Sequence, residues 1–237
     1  MLRVLRNRLL AWLIETHPVI YLRWMRLSQH QLATDRKFLQ LHAQLLRAGD
    51  CVQRLPERYN LWTLAHSART RPGAFAEVGV YRGGSAQILC AAKGAAVLHL
   101  FDTFCGMPEV NSATDGPFRA GDFGDSTLEF VQTRLAAYEG VVLHPGVFPA
   151  TTAALAREQP IFQFVHLDAD LYQSTLDGLN FFYPLLATGG FLVSHDYNHS
   201  LAPGVRRAFD EFLRDKPERV IPLWQTQGLL IKLAPPA

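Results

Sequence analysis

The pattern of apolar and polar positions changes character once along the chain. Up to about Thr70 it is helical: Leu2, Leu5, Leu9, Trp12 and Leu13 recur at helix spacing, with arginines between them. A second helix is predicted over about Val19–His30 and a third over about Asp35–Leu46, stopped by Gly49. A fourth, over about Asn60–Ala68, ends before Arg71-Pro72-Gly73. From Gly73 onward short apolar runs alternate with amphipathic stretches. Strands are predicted at Ala74–Val80, Val97–Phe101, Val141–His144, Phe162–Leu167, Phe191–Ser194, Val220–Leu223 and Gly228–Leu233. Helices are predicted from the Gly83-Gly84 turn to Ala92, over Leu128–Tyr138, Thr152–Glu158 and Thr175–Leu186, and along the face formed by Val205, Ala208, Phe209, Phe212 and Leu213. Pro222 marks an edge strand. The segment from Thr103 to Ser126 is long, rich in Gly, Pro, Asp and Phe, and of a length that usually serves function.

Strands alternating with helices imply a parallel sheet covered on both faces, an α/β doubly wound, Rossmann-like class. Residues 1–70 form a helical extension that acts as a cap or dimerisation arm, and residues 71–237 form the sheet domain. Ligands of such sheets bind beyond the carboxyl ends of the strands. Every chemically unusual residue in this chain falls just there.

Composition narrows the class. With 237 residues, 49% apolar and 19% charged, the chain can bury a large core. Its net charge of +2 gives nucleic-acid binding little support. The three cysteines (Cys51, Cys90, Cys105) have no CxxC spacing and read as reduced thiols of a cytoplasmic protein. Leu9–Ile14 is too short to span a bilayer, and no small-residue cleavage site follows it. The arginines of the first thirty residues leave a second reading of the opening helix. It would lie as a basic amphipathic helix on a membrane surface, with Trp12 and Trp24 as anchors.

Three stretches carry chemistry. Glu77-Val78-Gly79-Val80-Tyr81-Arg82-Gly83-Gly84-Ser85 is a glycine-rich strand-to-helix turn, followed one strand later by Asp102. Glycines allow close backbone approach, and an acid in the second position commonly holds ribose hydroxyls. Glu77 would repel a pyrophosphate but tolerate the cationic amino-acid end of S-adenosylmethionine (SAM). That favours SAM over NAD, and the chain has no convincing Tyr-x-x-x-Lys pair for an oxidoreductase. Leu167-Asp168-Ala169-Asp170 places two carboxylates at the mouth of an apolar strand, where an unpaired charge is costly. Ser194-His195-Asp196-Tyr197 ends the next strand with further metal-type ligands.

Together with Phe101-Asp102-Thr103-Phe104 and Tyr172-Gln173-Ser174-Thr175, these motifs resemble the macrocin O-methyltransferase (TylF) family over about Gly73–Leu233. The resemblance implies a class I SAM-dependent, metal-assisted methyltransferase that acts on a sugar hydroxyl of a secondary metabolite or surface glycan, and a homodimer. Carried over, Glu77, Gly79, Tyr81, Gly83 and Ser85 would line the amino-acid end of SAM. Asp102, with Thr103 and Phe104, would serve the ribose side, and Gly146 and Phe148 the adenine. The loop containing Gly121-Asp122-Phe123 would close over the cofactor. Asp168 and Asp196 would hold a divalent metal, magnesium or manganese, and Asp170 would be the general base.

The chain departs from the family at His195, where an acid is usual, and at Ala150. Imidazole can ligate a metal, but it lowers the charge of the site and shifts preference from magnesium toward softer ions. His195 could instead be a second base. Two versions of the chemistry stay open. In one a metal acidifies the acceptor hydroxyl. In the other, repulsion among Asp168, Asp170 and Asp196 raises one of them toward neutrality. A catechol-like diol as acceptor and an inactive SAM-binding protein remain alternatives. His99, His144 and His166 read as hydrogen-bonded core or rim residues. Tyr172 and Tyr197 read as sugar contacts or packing.

Overall fold

The computed structural model describes residues 2–24 and 31–234. The helical start comprises α1 (Leu2–Thr16), α2 (Pro18–Trp24), α3 (Arg36–Ala48) and α4 (Leu55–Ala68). The last residues of the predicted second helix, 25–30, lie outside the described residues, as does the side chain of Trp24. The sheet domain contains β1 (Ala74–Val78), α5 (Gly84–Ala92), β2 (Leu98–Asp102), α6 (Leu128–Leu135), β3 (Val141–Pro145), α7 (Ala153–Glu158) and β4 (Phe162–Leu167). It continues with α8 (Tyr172–Leu185), β5 (Leu186–Ser194), α9 (Pro203–Phe212), β6 (Ile221–Pro222) and β7 (Gly228–Ile231).

The strands order as β3-β2-β1-β4-β5-β7-β6. The first five are parallel, and β7 runs antiparallel to both its neighbours. Pro222 does lie on an edge strand, where its missing N–H costs no ladder bond. The strand period of two sorts the core into two faces. Phe75, Leu98, Leu100, Phe164 and Val193 pack with residues of α3, α4, α5 and α6. Ala76, Val78, Phe101, Val165, Leu167 and Leu192 pack with α7, α8 and α9. All six residues of β4 are buried, as the centre of a doubly covered sheet requires.

The order of the sheet reverses between β1 and β4, and their ends are pressed together there. A Cβ at Gly79 would lie 1.9 Å from the Asp168 carbonyl oxygen, and Gly79 has φ of +85°, so only glycine fits. This turn ends β1 at Val78, two residues short of the strand expected from sequence.

Two boundaries move by five residues, while α8 starts three residues early, at Tyr172, and α6 ends three early, at Leu135. Helix α4 starts at Leu55 rather than Asn60, because Pro56 opens its first turn and the Glu57 carboxylate accepts the Arg54 N–H at 2.7 Å. Strand β5 starts at Leu186 rather than Phe191, so Gly189-Gly190 lies within the strand, where Arg71 donates to the Gly189 carbonyl at 2.6 Å. The early helices share the domain core: Leu41, Leu45, Leu61, Trp62 and Ala65 are buried with the sheet residues. Glu15 ties α1 to α4 by accepting the Leu55 N–H at 3.0 Å and pairing with Arg58 at 3.5 Å. Among the described residues no helix is long and apolar enough to cross a membrane.

Candidate active site

A cavity of about 560 Å³ opens over the ends of β1, β2, β4 and β5. One side is made largely of backbone. After β1 the chain turns through Gly79 and Tyr81, whose φ values are +85° and +50°. The carboxylate of Asp102, at the end of β2, accepts the N–H groups of Val80 at 2.7 Å and Tyr81 at 2.8 Å on one oxygen. It accepts that of Phe104 at 2.7 Å on the other. One carboxylate thus fixes both turns, and the second oxygen keeps a lone pair free. Gly79, Tyr81, Ser85, Asp102, Thr103, Gly146 and Phe148 line the cavity.

Three of the residues expected to touch a cofactor do not reach this space. Gly83 caps the start of α5 against Arg134. Phe104 packs against the core and contributes its amide to Asp102. Glu77 is fully buried beneath the turn, because β1 directs positions 75 and 77 to the same inner face. It takes the Nδ1–H of His166 at 2.7 Å, and its other oxygen has no hydrogen-bond partner. Burial pushes the Glu77 carboxyl up, while His166 works against that rise. His166 is therefore a hydrogen-bonded core residue, and the 3.0 Å contact between His99 and His144 makes those two a bonded pair on the rim.

The other side is made of charge. The ends of β4 and β5 lie side by side, with Leu167 opposite Ser194. Each is followed by a residue in left-handed backbone, Asp170 at φ +56° and Asp196 at +24°, a conformation that costs about 1–3 kcal/mol outside glycine. These turns aim Asp168, Asp170, His195 and Asp196 at one point. His195 Nδ1 lies 2.9 Å from Asp168 and 2.8 Å from Asp196. Ligand atoms of Asp168, His195 and Asp196 all fall within 4.8 Å of one another, so two carboxylates and an imidazole can share one cation.

The charges are strongly coupled. Burial raises the Asp170 carboxyl well above its usual range, and the negative charges of Asp196 and Asp168 push it further. Burial acts the same way on Asp168, but the charge of His195 outweighs it and holds the group at about 2. For His195 burial favours the neutral ring, yet Asp168, Asp196 and Glu57 overcome it and raise its pKa well above the ordinary value. The cluster therefore carries an imidazolium among carboxylates when no other cation is present.

Sequence reasoning missed the residues that complete this side. Gln53, just before α4, donates to Asp168 at 3.0 Å and reaches His166 at 3.4 Å, which links the buried Glu77–His166 pair to the cluster. Glu57, in the first turn of α4, lies 3.6 Å from His195 Nε2 and accepts the Thr226 hydroxyl at 2.7 Å. Burial alone would raise Glu57, but His195, the Arg54 amide and Thr226 hold it at about 2. The sequence reading began this helix at Asn60 and so passed over Glu57, which opens α4 and also reaches His195.

The long loop is ordered across the cavity mouth. Met107 and Gly121 pair backbone to backbone at 2.9 Å, and Met107, Pro108, Phe118 and Phe123 line the opening. Phe123 meets the Tyr81 ring edge-on at 5.3 Å. Tyr172 donates to Glu211 at 2.5 Å, and neither it nor the buried Tyr197 lines this cavity.

A five-stranded parallel sheet extended by an antiparallel β7, with its cavity at the β1–β4 reversal, defines the class I SAM-dependent methyltransferase fold. Residues 63–223, more than half of the chain, match the model of the macrocin-O-methyltransferase (TylF) family, and the chain belongs to that family. It is 33% identical over 141 residues to the 8-demethyl-8-(2,3-dimethoxy-alpha-L-rhamnosyl)-tetracenomycin-C 4'-O-methyltransferase of Streptomyces olivaceus, covering 53% of each chain. It is 30% identical over 163 residues to the demethyldecarbamoylnovobiocin O-methyltransferase of Streptomyces niveus, covering 60% of this chain and 58% of that one. The chain thus spans little more than half the length of these curated relatives. Among solved structures it resembles CalS11, the calicheamicin methyltransferase, at a TM-score of 0.66 and 22% identity over 81% of this chain and 85% of that one. It also resembles the O-methyltransferase NovP, at 0.63 and 21% over 76% and 81%.

Proposed function

We propose that the protein transfers a methyl group from SAM to a hydroxyl, most consistently a sugar hydroxyl of a secondary metabolite or surface glycan. The observation that carries this reading is the Asp168–Asp170–His195–Asp196 cluster standing beside the glycine turn in one cavity. The names of the relatives, which refer to rhamnosyl tetracenomycin and novobiocin intermediates, support the sugar.

The methyl carbon of SAM is already electrophilic, so the protein has to align an oxygen with it and accept a proton. Asp102 offers its free lone pair to the ribose, Gly146 and Phe148 flank the adenine side, and Tyr81 and Ser85 border the amino-acid end. Glu77 acts from beneath, as the buried carboxyl that holds His166 under the turn. Asp170 takes the proton of the acceptor. In the cation-free cluster, burial and the charges of Asp196 and Asp168 hold this carboxyl above its usual range, which makes it a better base near neutral pH than an ordinary aspartate; a bound dication would offset that rise and would have to acidify the hydroxyl instead. Asp168, His195 and Asp196 hold a divalent ion. With an imidazole among two carboxylates, the donor set suits manganese better than magnesium. Such an ion would lower the pKa of an alcohol bound to it. Residues 1–70 are proposed as the dimer surface of a cytoplasmic enzyme, with Leu9, Trp12 and Ile20 exposed on it.

Incubation with labelled SAM and glycoside pools, with and without EDTA, tests the reading by mass spectrometry of the acceptors. Label in a glycoside that disappears on chelation is expected. Measurable SAM binding without label in any acceptor would overturn the enzyme assignment. Label that survives EDTA would leave Asp170 as base and remove the metal.

A further inference from the structure

The family's acid is replaced by His195, which leaves the cluster one negative charge poorer. An imidazole is also an ambiguous ligand, because whichever nitrogen carries the proton cannot bind a cation. In this chain Nδ1 faces Asp168 and Asp196, so Nδ1 must be the bare nitrogen if His195 is to be a ligand. Its Nε2 is buried and has no hydrogen-bond partner. Glu57 Oε1 lies 3.6 Å away. A shift of about 0.7 Å would bring that gap to an ordinary N–H···O distance.

Glu57 is itself rigidly placed. Its Oε2 accepts the Arg54 N–H at 2.7 Å, and its Oε1 accepts the Thr226 hydroxyl at 2.7 Å and the Thr226 N–H at 3.3 Å. The residue is 3% exposed, so its charge is not dispersed by solvent. We propose that Glu57 is the positioning residue of the metal-competent cluster. It takes the Nε2–H of His195 in place of the long Thr226 N–H contact, turns the Nδ1 lone pair toward the cation, and supplies from behind the ring the negative charge that the histidine removed. The helical extension thereby contributes to a site whose ligands all come from the sheet domain. This inference rests on the metal reading above.

The test is manganese binding by the full-length protein, followed by calorimetry and by loss of the free-ion electron paramagnetic resonance signal. SAM binding and thermal unfolding serve as folding controls. Glu57→Gln is expected to weaken manganese binding about ten- to a hundredfold while the chain still binds SAM. In a His195→Asp background, where no ring needs orienting, the same Glu57→Gln change is expected to alter manganese affinity less than threefold. Equal losses in both backgrounds would show a merely structural role and overturn the proposal. A wild-type affinity that Glu57→Gln leaves within twofold would overturn it too, with the metal reading intact. A wild-type chain that binds SAM but no manganese would remove both.

Discussion

At the ends of β1 and β2 the cavity wall is mostly backbone. Asp102 there spends its charge on three amide groups, and glycine lets two turns touch. Across the cavity, at the ends of β4 and β5, the wall is side-chain charge. Four ionisable groups crowd together there, two of them on left-handed backbone. The first arrangement satisfies its charge and holds still. The second leaves charge in excess, which costs stability and creates an appetite for protons and cations. A ligand recognised by shape suits the first wall, and bond-making suits the second.

Removing the base should break this contrast most sharply. Asp170→Asn is expected to slow methyl transfer about 10²- to 10⁴-fold in single-turnover assays while SAM titration stays near wild type. Because the folded pKa of Asp170 is raised, its charged form destabilises the fold once the pH exceeds the ordinary carboxylate range. The variant should therefore unfold at a higher temperature than wild type at neutral pH, and that difference should vanish in acid. A less stable variant would mean that Asp170 is a structural residue.

Gly79→Ala attacks the opposite wall. The added Cβ meets the Asp168 carbonyl and needs a left-handed backbone, so a loss of about 3 kcal/mol or more is expected in urea unfolding, together with loss of SAM binding. Glu57 tests the charged side from outside the sheet. Its pKa falls from 4.5 to about 2 on folding, so it stabilises the fold above its unfolded value and loses that effect as the pH falls toward 2. At about 1.36 kcal/mol per unit this is about 3 kcal/mol. The stability gap between wild type and Glu57→Gln should close over that window, and a gap independent of pH would contradict the assignment. Asp102→Asn should be mildest. It swaps one acceptor for a donor facing an amide, which costs about 1–3 kcal/mol, seen as weaker SAM binding with kcat little changed.

The sequence made the sheet readable because each apolar run has one partner period and one set of breakers. It also exposed Asp168, Asp170 and Asp196, since carboxylates at the mouth of an apolar strand have no packing reason to be there. What it hid were residues with double duties. Glu57 lay ahead of the helix expected from Asn60, yet it caps α4, and its second contact depends on where α4 lands against β5. Gln53 is an unremarkable polar residue until the fold sets it between His166 and Asp168. Gly83 and Phe104 show the converse. They were expected at the cofactor, but in the structure it is their backbone that serves the turns, with no surface facing the cavity. The strand boundary at Gly189 was missed because a glycine pair reads as a turn, whereas here it is an irregularity within the strand: the pairing with β4 jumps from Leu186 to Phe191, and Arg71 fills the space beside Gly189.

The family match begins at residue 63, yet Gln53 and Glu57 precede it. A fragment begun at that boundary would keep every strand and every motif of the sheet, and it would pass for a whole enzyme in any comparison of folds. It would nonetheless have an open flank, from Asp50 to Glu57, beside its most reactive residues. Anyone building chimaeras from this scaffold should place the junction ahead of Asp50 and inherit the extension from the same parent as His195.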